Sequence, residues 1–174
     1  MALRSDWSRR NCSMARGLDI LGDPWSILVL REVFFGNGRF DAMKARLEAA
    51  DSVLTKRLAN LVESGLLTKR AYDDGGRTRS EYVLTPKGED ALPVLNAVTI
   101  WAEKHLPAPS KQAHMYVIHS GCGQRTSSAD TCTGCGERLT AANTSWHSQA
   151  RTKAPVELAT AVAVSSEPKK GAAA

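Results

Sequence analysis

The stretch DSVLTKRLANLVESGLL, Asp51 to Leu67, decides the fold of the first part of this chain. On a helical wheel of about 100° per residue its leucines share one face, and Gly65 is a stop signal. The pattern predicts a helix over about residues 52–64, with Asp51 or Ser52 as its cap. The opposite face carries small, hydrogen-bonding and charged residues, namely Ser52, Lys56, Ala59, Asn60 and Glu63, with Thr55 and Arg57 on its flanks.

Three more helices are predicted before this one. The clearest has Asp23 as its N-cap and Pro24 at its first position, and it ends near Phe35. Because this helix is apolar nearly all round, we expect it to be buried as the core. The others are expected over about residues 12–21, capped by Asn11, and over residues 40–47.

The residues after Gly65 predict a β-hairpin and a final long helix. The strands are expected over residues 66–72 and 81–85, with a glycine-containing loop between them. Thr85 and Pro86 then start a helix that runs to about Leu106. The fold class is therefore α+β: a winged helix-turn-helix domain over residues 6–107, with a long C-terminal dimerisation helix.

The exposed face of the fourth helix suits insertion into the major groove of double-stranded DNA. Ser, Thr and Asn side chains hydrogen-bond base edges or phosphates, and Lys and Arg neutralise phosphate charge. The arginines of the hairpin would lie along the backbone or minor groove, and Arg77 is the best single wing contact. The candidate DNA-binding residues are Arg39, Ser52, Thr55, Lys56, Arg57, Asn60, Arg77 and Arg79.

Composition agrees with this interpretation but is too weak to carry it. The chain has 174 residues, a net charge of +5 and a pI near 9.2, a mild preference for acidic partners. It contains no apolar run of about 20 residues, and its start is too polar for a secretory signal. We therefore expect a cytoplasmic protein without a membrane partner.

A cluster of cysteines and one histidine predicts a metal site in the second part of the chain. His119-x2-Cys122-Gly and Cys132-x2-Cys135-Gly form two knuckles, and four such ligands fit structural Zn²⁺. We expect a zinc-ribbon-like appendage over residues 112–147. His114 or His147 could replace His119, and the competing interpretations are a ribbon without metal and a redox pair, Cys132–Cys135.

Residues 151–174 are rich in Ala, Val, Ser and Lys, and their composition predicts a disordered tail.

No catalytic residues stand out, so we do not expect an enzyme. The chain offers no Ser/His/Asp set, no paired carboxylates and no phosphate-binding glycine loop.

Three long stretches together resemble the HxlR family of bacterial winged-helix transcriptional regulators. They are CSMARGLDILGDPWSILVLREVFFGNGRFDAMKARL, VLTKRLANLVESGLLTKRAY and EYVLTPKGEDALPVLNAVTIWAEKHL, within residues 12–106. The resemblance implies a homodimeric repressor or activator on a palindromic operator.

The resemblance also implies a role for Cys12, since some members of the family use such a cysteine to sense oxidants or electrophiles. The position of Cys12 favours its thiolate form, because Cys12 lies at the start of a helix and near arginines in the sequence. The alternative is a small residue packed at the dimer interface.

An apolar stripe on the last helix independently indicates dimerisation. It is broader than packing on one domain requires, and a two-fold dimer would place two recognition helices about 34 Å apart. Burial of the stripe against the cysteine-rich segment is the alternative. The predicted interface residues are Val94, Leu95, Val98, Trp101 and Ala102.

Together these features predict a sequence-specific transcriptional regulator that responds to a small molecule or an oxidant. Two rival functions remain open. One is a protein-interaction module that uses the winged helix and the ribbon as docking surfaces. The other is a thiol oxidoreductase that uses Cys132 and Cys135.

Overall fold

The computed structural model of this protein describes residues 6–162. Helix α2 starts as predicted: the Asp23 carboxylate accepts a hydrogen bond from the Trp25 amide (3.0 Å), and Pro24 occupies the first helical position. Helix α1 begins one residue later than predicted, with Cys12 rather than Asn11 in the N-cap position. The first four helices are α1 (Ser13–Leu21), α2 (Pro24–Phe34), α3 (Phe40–Leu47) and α4 (Asp51–Glu63).

Helices α3 and α4 form the predicted helix-turn-helix, but α4 is not capped by Asp51 or Ser52. Ala50 occupies the N-cap position and gives no side-chain hydrogen bond. The Asp51 carboxylate instead pairs with the ammonium group of Lys44 on α3 at 2.7 Å. It lies in the first turn of α4, where the positive end of the helix dipole favours a negative charge.

Helix α2 is the core, as its apolar sequence predicts. The leucine face of α4 packs against it, and burial of each such side chain stabilises the fold by about 1.5–3 kcal/mol. The buried residues of these two helices include Val29, Leu30, Val33 and Phe34 on α2, and Leu54, Leu58 and Leu61 on α4.

Strands β1 (Leu67–Asp73) and β2 (Thr78–Leu84) form an antiparallel hairpin, which is the wing. Its turn contains Gly75 and Gly76, both with positive φ. The Tyr82 amide of β2 donates to the carbonyl oxygen of Gly38 (2.8 Å), so the wing is fixed to the loop between α2 and α3. A Cβ atom at Gly38 would collide with the Tyr82 carbonyl, which explains why a glycine lies there.

The long final helix is interrupted, which corrects the prediction of one helix over residues 86–106. Helix α5 (Pro86–Glu89) ends in a turn, and α6 (Leu92–His105) begins after two intervening residues. Pro93 is the physical reason, because proline has no amide hydrogen to donate and restricts the residue before it.

The second part of the chain forms a three-stranded antiparallel sheet in the order β3–β4–β5. Its strands are β3 (Met115–His119), β4 (Thr144–Ser148) and β5 (Val156–Glu157). We call residues 114–148 the ribbon. The ribbon packs on the winged helix, because the Trp146 indole is fully buried beside the rings of Phe34 (5.5 Å) and Phe35 (5.3 Å).

The prediction of a disordered tail from residue 151 is wrong over residues 151–162. Strand β5 pairs with β4, Leu158 is 6% exposed, and the Ala159 amide donates to the Phe34 carbonyl (2.8 Å). The Val162 amide donates to the carbonyl of Leu84 at the base of the wing (3.0 Å). We call residues 156–162 the strap, since they join the ribbon to the wing. The rest of the predicted tail, residues 163–174, lies outside the described residues.

Glu32 of α2 is fully buried and connects the two parts of the chain through hydrogen bonds. Arg31 donates to its Oε1 atom (2.9 Å), and Arg151 donates to both carboxylate oxygens (2.7 and 3.0 Å). Asn37 donates to Oε2 (3.1 Å).

Within residues 6–162 the structure has no helix with the length and hydrophobicity that a membrane span requires.

Candidate DNA-binding surface and metal centre

The outward face of α4 is open to solvent over its N-terminal half. Ser52, Thr55 and Lys56 are all exposed, and Lys56 has no ion pair or hydrogen bond with the described residues. The leucines on the other face are buried, so they hold α4 in place while its polar residues project outward. This face has the position and chemistry that major-groove contacts need.

Arg57 and Asn60 are less exposed than Ser52, Thr55 and Lys56, and their DNA-binding role stays a prediction. The Arg57 guanidinium pairs with the Asp23 carboxylate at 2.6 Å, and its side chain is 19% exposed. Asn60 is partly buried in the same crevice between α1, α2 and α4. Arg57 therefore ties the recognition helix to the N-cap of α2.

The wing presents one arginine that is free of acidic partners. Arg77 is exposed at the hairpin turn and makes no ion pair within residues 6–162. Arg79 pairs with Asp74 (2.9 Å) and approaches Asp41 (3.9 Å), so part of its charge is already neutralised. Arg39 stacks over the Tyr72 ring, 4.2 Å from its centre. Of these three predicted residues, Arg77 is the best placed to meet a phosphate.

The two knuckles of the candidate metal site have the same backbone structure. In the first, the Gly123 amide donates to the His119 carbonyl (2.8 Å) and the His119 amide donates to Gln124 (3.0 Å). In the second, Gly136 donates to Cys132 (2.8 Å) and Cys132 donates to Glu137 (2.8 Å). Both glycines have positive φ. His119 therefore occupies in the first knuckle the position that Cys132 occupies in the second.

The two knuckles bring His119, Cys122, Cys132 and Cys135 into one cluster. Their ligand atoms lie within 4.8 Å of one another, and His119 Nδ1 is 3.2 Å from Cys122 Sγ and 3.3 Å from Cys135 Sγ. The sulfur atoms of Cys122 and Cys132 are 3.6 Å apart. Ligands of a tetrahedral zinc ion are separated by roughly 3.5–3.8 Å, so the cluster has the size of such a site.

The environment of the His119 ring also fits a metal ligand. His119 is 1% exposed, and its Nε2 atom makes no hydrogen bond but lies 3.4 Å from the Glu137 carboxylate. A carboxylate near the second ring nitrogen is the usual partner of a histidine that binds metal through the first. Here Nδ1 lies beside the sulfur atoms of Cys122 and Cys135, so Nδ1 is the candidate ligand.

The thiols of the cluster influence one another. A hydrogen bond from the Cys135 backbone amide is the main reason that the pKa of Cys132 falls to about 7. For Cys135, the Glu137 amide opposes the change, but burial and the thiols of Cys132 and Cys122 raise the pKa above its usual value. Closely spaced thiolates repel one another, and a bound cation would remove that repulsion.

The structure separates His119 from the two alternative histidine ligands. His114 Nδ1 lies 2.7 Å from the Glu103 carboxylate, and the His147 ring lies beside Tyr116. Neither residue belongs to the cluster. Cys132 and Cys135 do not form an isolated redox pair, since both belong to this set of four.

The apolar stripe of α6 is only partly available for dimerisation. Val94, Val98 and Trp101 are 42%, 52% and 57% exposed, but Leu95 is 3% exposed. Leu95 belongs to the core of its own chain, which corrects its predicted interface role. Ala102 is partly buried and lines a cavity under α6. The exposed part of the stripe agrees with an interface that uses three of the five predicted residues.

Cys12 is exposed at the start of α1, and its sensor role stays a prediction. Trp7, Arg10, Met14 and Leu18 surround it in a shallow cavity. The thiol is therefore accessible to a soluble oxidant.

The helix-turn-helix, its exposed recognition face and the hairpin define a winged-helix transcriptional regulator. An HxlR-like helix-turn-helix family model matches residues 20–110, slightly more than half of the chain. The chain therefore belongs to the HxlR-like helix-turn-helix family, and the sequence-based identification is confirmed.

Several relatives agree with this family assignment. An HTH-type transcriptional regulator of Mycobacterium tuberculosis H37Rv, Rv3095, is 35% identical over 121 residues, which cover 70% of this chain and 75% of the relative. One from Methanothermobacter thermautotrophicus is 32% identical over 95 residues, which cover 54% and 72% of the two chains. The crystal structure of PA1607, described as a candidate transcription factor, has a TM-score of 0.65 and 33% identity. That match covers 78% of this chain and 94% of PA1607.

The sequence did not reveal the residues that hold the ribbon against the winged helix. The Trp146 indole donates to Asn96 (2.9 Å), and Asn96, fully buried on α6, donates to the Ala129 carbonyl (2.9 Å). Glu32 and Arg151 make the second connection. The one signal in the sequence was the presence of two polar residues, Glu32 and Asn96, among apolar helix positions. A buried polar group needs a hydrogen-bonding partner, so such residues indicate contacts with another part of the chain.

Proposed function

We propose that this protein is a homodimeric regulator that binds a palindromic operator, with α4 of each subunit in the major groove and the wing on the adjacent backbone. The observation that carries the proposal is the exposed face formed by Ser52, Thr55 and Lys56, which is held outward by a buried leucine face. A solvated helix face without a partner would also be polar. The free arginine at the tip of the wing favours DNA.

The dimer would form through the exposed part of α6. Val94, Val98 and Trp101 expose apolar surface on one helix, and Leu106 (55% exposed) extends it. Met14 and Leu18 of α1 are also exposed apolar residues (75% and 47%). Apolar side chains exposed in such number on two helices are typical of an interface. A two-fold axis there would relate two recognition helices and match a palindromic site.

We further propose that the four-residue cluster binds structural zinc. Three cysteines and one histidine are a typical ligand set for structural zinc. These four side chains would fill all four positions of a tetrahedral site. A bound ion would neutralise the thiolates and hold the two knuckles together. The ribbon is small, and a metal compensates for the hydrophobic core that such a segment lacks.

The DNA-binding proposal is tested with an operator selected from a random DNA library by the full-length protein. Affinity is then measured by fluorescence anisotropy at several salt concentrations. We expect a steep decrease with salt, because Lys and Arg contacts with phosphates release counterions. Lys56→Ala should weaken binding about three- to tenfold and reduce the salt slope by about 1.

Arg57→Ala is the matched control on the adjacent residue. It removes the ion pair with Asp23, so the free energy of unfolding should fall by about 1–2 kcal/mol. Lys56→Ala should change this free energy by less than about 0.5 kcal/mol. Equal operator affinity for Lys56→Ala and the unmodified protein would contradict the groove assignment.

A further inference from the structure

A cavity of about 230 Å³ lies between α2, α6 and the ribbon. Its walls are mainly apolar and include Ile27, Leu95, Met115 and the Trp146 indole. Val98, which is half exposed, forms part of its rim. The cavity is smaller than the sites that hold drug-sized ligands, so a ligand would be a small molecule of one ring or a short branched chain.

Two charged residues, Arg31 and Glu103, border the cavity, and only Arg31 has a hydrogen-bonding group without a partner among the described residues. Both oxygens of the Glu103 carboxylate are occupied, by the Met115 amide (2.8 Å) and by His114 Nδ1 (2.7 Å). Arg31 uses Nε and Nη2 on the Glu32 carboxylate (3.2 and 2.9 Å), whereas its Nη1 atom makes no hydrogen bond with residues 6–162. Of these two charged residues, Arg31 is therefore the one that can bind a ligand group at this cavity.

The charge around Arg31 favours an anion. Arg31 and Arg151 both pair with Glu32, so two guanidinium groups share one buried carboxylate. Their side chains are only 26% and 17% exposed, and water screens their repulsion incompletely. Burial, and then the charge of Arg151, lower the pKa of Arg31. A second anion beside Arg31 would relieve this repulsion.

We propose that this cavity binds a small aromatic carboxylate, with its carboxylate on Arg31 and its ring against the partly exposed side chains of Ile27 and Met115. Guanidinium and carboxylate groups form strong, charge-assisted hydrogen bonds. Aromatic rings make favourable contacts with methionine sulfur atoms.

The same cavity lies between α2 of the DNA-binding unit and α6 of the proposed dimer. A bound ligand would change the packing of α6 on α2 and so the separation of the two recognition helices. This regulatory role depends on the proposed function, but the binding site does not. The ligand would then be the effector of the regulator.

The binding test uses the full-length protein without DNA. Sodium benzoate and benzyl alcohol, a neutral molecule of similar shape, are titrated by calorimetry, and the ¹H–¹⁵N signal of the Trp146 indole is followed by NMR. We expect benzoate to bind, to shift this signal, and to bind at least about tenfold more tightly than benzyl alcohol. Equal affinities, or no benzoate binding at millimolar concentration, would overturn the proposal.

Two variants locate the site. Arg31→Gln removes the guanidinium and should weaken benzoate binding at least about tenfold. Because this change also affects the contacts of Glu32, Ala102→Leu is the second variant, which fills the cavity and leaves both arginines in place. It should weaken benzoate and benzyl alcohol alike. Arg46→Gln, an exposed change on α3, is the control and should bind benzoate normally. Normal benzoate binding by Ala102→Leu would place the ligand elsewhere and refute the site.

The effector role is tested separately by measuring operator affinity with and without benzoate. We expect benzoate to change the affinity of the unmodified protein and not that of Ala102→Leu. Benzoate binding without any change in operator affinity would support the site and refute the effector role. Failure of both proteins to bind DNA would refute the proposed function while leaving the calorimetric result intact.

Discussion

At the scale of single residues, Glu32 shows how a buried charge is stabilised in this protein. The carboxylate is fully buried but accepts hydrogen bonds from Arg31, Arg151 and Asn37. Burial alone would raise the pKa of Glu32, yet the hydrogen bonds from Arg151 and Arg31 outweigh it and lower the pKa below its usual value. The charged form is therefore the stable form at neutral pH.

The lowered pKa of Glu32 predicts a pH dependence of stability. A carboxyl group with a lowered pKa in the folded state contributes its full stability above its ordinary pKa and loses it as pH falls through the folded-state value. The free energy of unfolding, measured with urea, should therefore decrease below about pH 4.5. In Glu32→Gln this part of the decrease should be absent, and stability at pH 7 should be lower by about 3 kcal/mol. Glu63→Gln, an exposed change on α4, should keep the normal pH dependence. A parallel pH profile in Glu32→Gln would contradict this role.

At the scale of elements, the ribbon and the strap are parts of one packed structure with the winged helix. Ser120 follows the candidate ligand His119, and its hydroxyl donates to the Glu157 carboxylate (2.9 and 3.0 Å). Glu157 ends β5, and the strap then reaches the base of the wing through Val162. The candidate metal cluster is thus connected to the winged helix through the hydrogen bonds of Ser120 and of the strap.

Loss of the metal should therefore have effects beyond the ribbon. We expect Cys132→Ser to purify without its zinc and to exchange amide hydrogens faster in β3, β4 and the strap. The winged helix should stay folded but become less stable, because Trp146 would pack less firmly against Phe34. Elemental analysis and hydrogen exchange by mass spectrometry measure both effects.

Cys12→Ser is the control for this experiment, since Cys12 lies far from the cluster in the sequence and is not one of its members. It should keep a full complement of zinc. Full zinc content in Cys132→Ser would rule out the ligand assignment. Slow exchange in the strap of the zinc-free variant would refute the connection between metal site and wing.

At the scale of the whole molecule, the exposed face of α6 predicts a dimer. Trp101 is 57% exposed on this face, so Trp101→Glu should not unfold a single chain. It should instead place a charge in the apolar interface, convert the dimer to a monomer in sedimentation velocity and weaken operator binding at least about tenfold. Lys111→Glu reverses an exposed charge beyond α6 and should remain dimeric. A monomeric unmodified protein, or an unchanged dimer of Trp101→Glu, would contradict this interface.

The sequence by itself determined the local structure of this protein. The Asp23 cap defined the start of α2, periodicity defined α3 and α4, glycine and strand patterns defined the wing, and the x2 spacing defined both knuckles. These signals act over a few residues, since a helix face, a tight turn or a chelating loop depends on neighbours in the chain. The family assignment and the cluster of His119 with three cysteines followed from the same local patterns.

Only the tertiary structure decided which residues are free to function and which hold the fold together. Lys56 and Arg57 are adjacent cations, yet one is exposed and the other pairs with Asp23, because packing of α4 on α2 points them in different directions. Trp146 and Asn96 are 50 residues apart, and Arg151 reaches Glu32 across 119 residues. No local pattern encodes such partners, since they meet only after the helices and the ribbon have packed.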